Sequence, residues 1–300
     1  MTALCVVQAR TGSTRLPGKV LLDLGGRPVL ALLLQRLQRG ELPVVVATST
    51  ASGDDDVVRL ADALGVPTVR GSEADVLERF RVAAAAWPDA DPIVRLTADC
   101  PFMEAAVVDQ AVDVHTAHGA DYTSNTLSRT FPDGLDVEVI ARSALLDAAA
   151  DATGQDEREH VTPFLQRHPE RFRLAAFCSG EDLGDVRLTL DTVDDLHELR
   201  ARLDAVDDHV GASWKGFLGR RRAPGDVEVR PRCTDGPLDA RRFALIVGGQ
   251  EVAQLVIGLC QEPPIVHGHV PAALRDEVLR RLSAWLAMDL QRGPLTSLGP

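Results

Sequence analysis

The sequence predicts an α/β protein with a mostly parallel sheet covered by helices, followed by a smaller module toward its C-terminal end. Three observations lead there. Short apolar runs alternate with helix-period segments over roughly the first 200 residues. The runs are apolar at successive positions, which marks strands buried on both faces. Near residue 215 the composition turns rich in Arg, Gly and Pro, which marks a linker.

In order, "ALCVVQ" (3–8) reads as a strand, a glycine-containing loop follows, and "RPVLALLLQRLQ" (27–38) reads as a helix. A second strand, "PVVVATS" (43–49), leads to the helix "DDDVVRLADALG" (54–65). "VPTVRG" (66–71) is short and extended. "EADVLERFRVAAAAW" (73–87) is helical, with Val76, Leu77, Phe80, Val82 and Ala83 apolar. "DPIVRLTADCP" (91–101) is a strand ending in an acidic turn, before the helix 104–119. From residue 121, "DYTSNTLSRTFPDGLDVEVI" is an extended excursion. The pattern resumes with "EREHVTPFLQRH" (157–168), the strand "RFRLAAF" (171–177) and the segment 185–206. Three units follow from this: an α/β domain at 1–215, a linker at 216–240 and a small α+β module at 241–300. The module contains a hairpin turned at Gly248-Gly249 and an amphipathic helix over 272–290.

Bulk numbers narrow the function. The 300 residues carry a net charge of −12, which argues against a nucleic-acid partner, since a phosphodiester backbone wants a basic face. No apolar run nears the roughly 18 residues of a membrane span, and no secretory signal opens the chain. Five scattered cysteines, with no C-x-x-C pair, read as reduced thiols of a cytoplasmic protein.

The loop "QARTGSTRLPGKVL" (8–21) has the composition of a phosphate cradle. It is not a Walker loop: five residues separate Gly12 from Gly18 where that motif has four, and Val20 stands where a metal-binding hydroxyl is needed. Nor does it supply the G-x-G-x-x-G of a dinucleotide site. It offers backbone amides at Gly12, Ser13 and Thr14, a guanidinium at Arg15, an ammonium at Lys19 and a third cation at Arg10. That set suits a triphosphate.

The same loop resembles the N-terminal signature of cytidylyltransferases that activate acidic sugars, the group of the CMP-KDO and CMP-sialic acid synthetases. The stretch to about residue 215 is similar to the spore coat polysaccharide (SpsF-like) cytidylyltransferases. It carries in order "ATSTASGDDDVVRLADALGVPTVRGSEADVLERF", "RLTADCPFMEAAVVD", "DYTSNTLSRTFPDGLDVEVI", "EREHVTPFL" and "RLTLDTVDDL". The resemblance implies a Rossmann-like nucleotide-diphospho-sugar transferase fold with a mixed, mostly parallel sheet. It implies transfer of CMP from CTP to a hydroxyl of an acidic sugar or related hydroxy acid, with Mg²⁺ and release of pyrophosphate, by a homodimer whose subunits meet around residues 121–165.

It also implies roles, each with a plainer competitor. Arg15 and Lys19 would neutralise phosphates, and Asp99 and Asp191 would hold Mg²⁺, although both acids also suit turns before helices. Ala98 and Val193 stand where the family commonly has glycine and proline. Ala47, Thr48 and Ser49, with Arg70, Gly71 and Ser72 at the next strand end, would meet the base, or simply form turns. Arg129 would meet an acceptor carboxylate or phosphate, and Asp136 and Glu138 its hydroxyls. Alternation with Val137 and Val139 would equally place those acids on the outer face of a strand. Glu159 and His160 would line the same pocket, or serve structure. Two further readings stand beside the enzyme: an inactive nucleotide-binding or scaffold protein, and a bifunctional or partner-docking enzyme acting through the C-terminal module.

Overall fold

The computed structural model describes residues 2–218 and, beyond them, 227–232, 240–247, 250–258, 265–267, 270, 278–280 and 282. The chain divides into two compact units, Met1–Gly219 and Arg220–Pro300.

The first unit is built on four parallel strands: β1 (Thr2–Gln8), β2 (Val44–Ser49), β3 (Thr68–Gly71) and β4 (Ala90–Thr97). Three short strands extend the sheet beyond β4: β5 (Tyr122–Ser124), β6 (Glu138–Ile140) and β7 (Leu174–Ala176). The order is β3-β2-β1-β4-β6-β5-β7, with β6 antiparallel to both β4 and β5, and β7 parallel to β5. This is the mixed, mostly parallel sheet the sequence predicts.

The unbroken apolar run of β1 follows from its central place. Cys5 and Val7 enter one core with α1 (Val29–Leu37), α4 (Ala105–His118) and α8 (Val193–Leu203). Leu4 and Val6 enter the other, with α3 (Val76–Ala86), α5 (Arg142–Asp151) and α7 (Pro163–Arg167). Helix α2 (Asp55–Ala63) adds Val57 and Ala61 to the first core.

Three differences from the sequence reading have local causes. The run 157–168 is two helices, α6 (Gln155–His160) and α7, because Thr162 and Pro163 start a new helix after a turn at Val161. Helix α5 went unread because its alanine-rich face carries only Ala144, Leu145 and Ala148 into the core. The apolar residues of 121–165, expected at a subunit contact, mostly serve the chain's own cores. Tyr122, Val137, Val139, Ile140, Val161, Phe164 and Leu165 are buried, while Leu127 and Leu146 remain exposed.

The second unit holds an antiparallel sheet of β8 (Val227–Arg232), β9 (Ala240–Val247), β10 (Gln250–Gly258) and β11 (Ile265–His267), in the order β11-β10-β9-β8. Strand β8 falls inside the stretch 216–240 read as a linker. There Val227 and Val229 alternate with Glu228 and Arg230, a strand pattern hidden by the surrounding Arg, Pro and Gly. Strands β9 and β10 pair as the expected hairpin, whose Gly248-Gly249 turn lies outside the described residues. So does most of the expected helix 272–290, of which 278–280 and 282 are helical, with Val278 and Leu282 buried.

Candidate active site

The carboxyl ends of the four parallel strands lie side by side: Gln8 is in register with Ala47 and Thr97, and Ser49 with Gly71. Ligands of open α/β sheets bind at this edge. The loop after β1 is fastened to it by Asp54. One Asp54 oxygen accepts from the Thr11 amide and hydroxyl, both at 2.7 Å; the other accepts from the Ser49 amide at 3.2 Å and from its hydroxyl. Burial alone would raise the Asp54 pKa, but the donors from Ser49 and Thr11 hold it below the ordinary carboxylate value.

The loop is closed by the Gly18 amide, which donates to the Thr11 carbonyl at 2.9 Å. Gly18 has φ 69°, where a side chain is disfavoured, and starts a 3-10 turn at Lys19–Leu21 whose Val20 is buried. Val20 therefore anchors the turn while Lys19 points inward. Among the described residues, the amides of Gly12, Thr14 and Arg15 have no intramolecular partner.

Lys19 Nζ lies 2.5 Å from Asp99 Oδ2 and 2.9 Å from Asp191 Oδ1. The two carboxylate oxygens are therefore within about 5.4 Å of each other, although the residues are far apart in sequence. Backbone bonds bring them there: the Asp99 carbonyl accepts from the Leu190 amide at 2.9 Å and the Thr189 hydroxyl at 3.2 Å. The strand-like segment before Asp191 also runs against Gly134, where an added Cβ would meet the Leu188 backbone at 2.4 Å.

Neither acid caps a helix. Thr192 caps α8 through the Asp195 amide, and Glu104 occupies the cap position of α4. Asp191 Oδ1 also meets Arg15 at 3.0 Å, and its Oδ2 meets Arg187 at 2.7 Å. Burial works to raise the Asp191 pKa, and Lys19, Arg187 and Arg15 together hold it low. Burial likewise works to lower the Lys19 pKa, but Asp99 and Asp191 keep it above the ordinary value.

Lys19, Asp99 and Asp191 border a cleft of about 330 Å³, with Arg10, Gly12, Ser13, Thr14, Arg15, Glu159 and His160. Arg79, unread in the sequence, also lines it. This side chain is buried, donates to the carbonyls of Ser72 (2.6 Å) and Glu73 (3.2 Å), and keeps its Nε without a partner among the described residues. Arg10 faces Glu73 at 3.6 Å and Glu159 at 3.8 Å.

An adjoining pocket of about 300 Å³ is lined by Arg95, Thr97, Thr126, Asp136, Glu138, His160 and Thr162. Glu138 is not on an outer face. It is buried, ion-paired to Arg95 across the β4–β6 register, and it accepts 2.6 Å bonds from the Tyr122 and Thr162 hydroxyls. Asp136 is gripped by both terminal nitrogens of Arg129, at 2.9 and 3.0 Å, so Arg129 is engaged within the chain.

The expected base-side residues do not border either volume. Ala47, Thr48 and Ser49 are buried, and Ser49 is spent on Asp54. Arg70 donates to the carbonyls of Ser49 (2.8 Å) and Ala51 (3.0 Å), Gly71 leaves room for the Arg79 side chain, and the Ser72 carbonyl receives it. Cys100 is packed behind Asp99, where burial pushes its thiol pKa well up, so it is no nucleophile.

Loop amides and cations face a pair of converging carboxylates across a cleft at the carboxyl edge of a mostly parallel sheet. Such a site belongs to the nucleotidyltransferases, which position a triphosphate and neutralise charge at phosphorus. The comparisons agree. A family model described as cytidylyltransferase matches residues 4–204, and the chain belongs to that family. The spore coat polysaccharide biosynthesis protein SpsF of Bacillus subtilis is 36% identical over 202 residues, covering 64% of this chain and 82% of that protein. A cytidylyltransferase structure from Leptospira borgpetersenii superposes with a TM-score of 0.69 at 31% identity, covering 73% of this chain and 93% of that one. A CMP:2-keto-3-deoxy-manno-octonic acid synthetase solved with CTP shares the fold, with a TM-score of 0.50 at 18% identity over 68% of this chain and 99% of that one.

Proposed function

We propose that this chain transfers CMP from CTP to a hydroxyl of an acidic sugar or related hydroxy acid and releases pyrophosphate. The observation that carries the reading is the clasp of Lys19 on Asp99 and Asp191 beside the unpartnered loop amides. In this reading the amides of Gly12 and Thr14, with Arg15, receive the leaving phosphates, and Lys19 serves as a point charge beside the α-phosphate. The cytosine belongs with Arg79, which lines the cleft below the ends of β2 and β3. Asp136 and Glu138 take acceptor hydroxyls.

Asp99 and Asp191 fit a divalent cation: two converging carboxylates are what Mg²⁺ uses when phosphate oxygens and water complete its octahedron. When bound there, the ion would offset charge developing on the phosphate oxygens. Resemblance to the spore coat polysaccharide protein and the sugar-acid synthetase named above supports the sugar-acid acceptor.

A pyrophosphate-release assay across the four nucleoside triphosphates, with a panel of sugar acids, tests the reading. It predicts release that needs CTP, an acceptor and a divalent cation, and that Asp99→Ala abolishes. Release indifferent to metal and to that substitution would contradict it.

A further inference from the structure

Two residues, Thr97 and His160, border both the nucleotide cleft and the adjoining pocket. An attacking hydroxyl must come within about 3–3.5 Å of the phosphorus, so the reacting atoms belong where the two volumes meet. That hydroxyl has a proton to lose. The carboxylates around both volumes already face cations: Asp99 and Asp191 face Lys19, Glu138 faces Arg95, Asp136 faces Arg129, and Glu159 faces Arg10. The Thr97 hydroxyl lies 3.1 Å from the Cys100 sulfur and is no base near neutral pH. His160 borders both volumes and is exposed, and its Nε2 stands 3.8 Å from Asp156 Oδ1 on the same helix, with no cation against it among the described residues. Imidazole is the side chain suited to taking a proton near neutral pH.

The backbone supplies an independent observation. Val161, immediately after His160, has φ 72° and is the one non-glycine residue with positive φ among the described residues. With ψ −54° and the Thr162 amide donating to the His160 carbonyl at 2.9 Å, it forms a γ-turn of the rare, strained hand. A β-branched residue is a poor choice for such a turn. Val161 is held in it by complete burial in the core that includes Leu145, Phe164 and Leu165. His160 and Thr162, on either side of the turn, both line the pocket. Strain that packing maintains beside a cleft is a mark of a positioned functional group.

We infer that His160 is the general base of the transfer, an assignment that rests on the CMP-transfer reading above. The acceptor oxygen bonds to the α-phosphorus as the bond from that phosphorus to the α–β bridging oxygen breaks. The hydroxyl proton passes to an imidazole nitrogen, pyrophosphate leaves with the bonding pair, and the imidazolium returns its proton to solvent.

The test compares His160→Ala and His160→Gln with the wild-type full chain, using His118→Gln, an exposed change on α4, as control. Readouts are CTP-dependent pyrophosphate release with the sugar-acid panel, CTP affinity by calorimetry, and thermal melting. The expected result is a kcat loss of about 10²- to 10⁴-fold in both His160 variants. CTP affinity and melting should stay unchanged, and added imidazole should restore rate to His160→Ala but not to His160→Gln. An active wild type beside an equally active His160→Ala overturns this assignment alone. A loss confined to acceptor KM, without imidazole rescue, does the same. A wild-type chain that is silent with every nucleotide and acceptor overturns the parent reading, and this one with it.

Discussion

The two halves of the main sheet differ in what they leave unmatched. At the carboxyl edge of β1 to β4, the loop leaves amides at Gly12, Thr14 and Arg15 unpartnered, and Arg79 has no carboxylate partner among the described residues. On β4 and beyond it, three guanidinium groups around the second pocket and Asp191 are matched to acids inside the chain: Arg95 with Glu138, Arg129 with Asp136, and Arg187 with Asp133, Asp191 and Asp195. Under the proposed reading, the first half receives a polyanion and the second holds its own acids in place to accept hydroxyls. Lys19 and Asp99 belong to the first half by sequence, and Lys19 also reaches Asp191, which follows the second half, so the site is closed between them.

The largest expected effect cuts that link. Lys19→Met should lower the rate of pyrophosphate release by about 10²- to 10³-fold, the scale of removing one preorganised electrostatic group. It also removes Lys19 from the groups that hold the Asp191 pKa low, so that pKa should rise, which carboxylate NMR can detect.

Breaking the second half should show in stability first. Glu138→Ala strands Arg95 in a nearly buried site and orphans two hydroxyls. The loss is about 3–5 kcal/mol in urea unfolding, the range for removing one member of a buried ion pair. In the first half, Asp54→Ala frees the loop from β2. A smaller cost of about 1–3 kcal/mol is expected, with CTP affinity falling alongside; unchanged CTP affinity would detach the loop from the site.

The smallest effect is in acid. Asp195 is held down to about 2: burial opposes this, but Arg187 and the amides of Asp191 and Thr192 outweigh it. Asp54 and Asp191 are lowered too. A carboxylate with a depressed folded-state pKa contributes stability that is complete above its ordinary value and is lost as pH falls through the folded one. Stability should therefore decline from about pH 4 downward. Asp195→Asn should flatten that decline.

The first half was legible because its chemistry is local. Strand, loop, turn and cation fall within residues 3–21, and the exclusion of a Walker loop at Val20 is matched by that residue's burial. Asp99 and Asp191 could be named, and their convergence waited on the fold, since it depends on Leu190 bonding to Asp99 and on Leu188 passing Gly134. Arg95 and Arg79 were missed because their partners are distant in sequence or are backbone carbonyls, which no spacing rule reveals; Arg187 joins two nearby acids, Asp191 and Asp195, to the distant Asp133, and only the fold brings that third partner to it. Period-two alternation put Glu138 on a strand correctly, but not on its inner face. The base-side residues were drawn from strand ends whose side chains proved to be structural: Ser49 secures Asp54, and Gly71 yields space to Arg79.

The central claim is that two carboxylates and an ammonium, brought together across the sheet, handle CTP with a divalent cation. Calorimetric titration of CTP, with Mg²⁺ and then with chelator, into wild type and the Asp99→Asn, Asp191→Asn double variant tests it most directly. Affinity that Mg²⁺ strengthens in the wild type and leaves unchanged in the double variant is the predicted result. An equal strengthening in both proteins would contradict it.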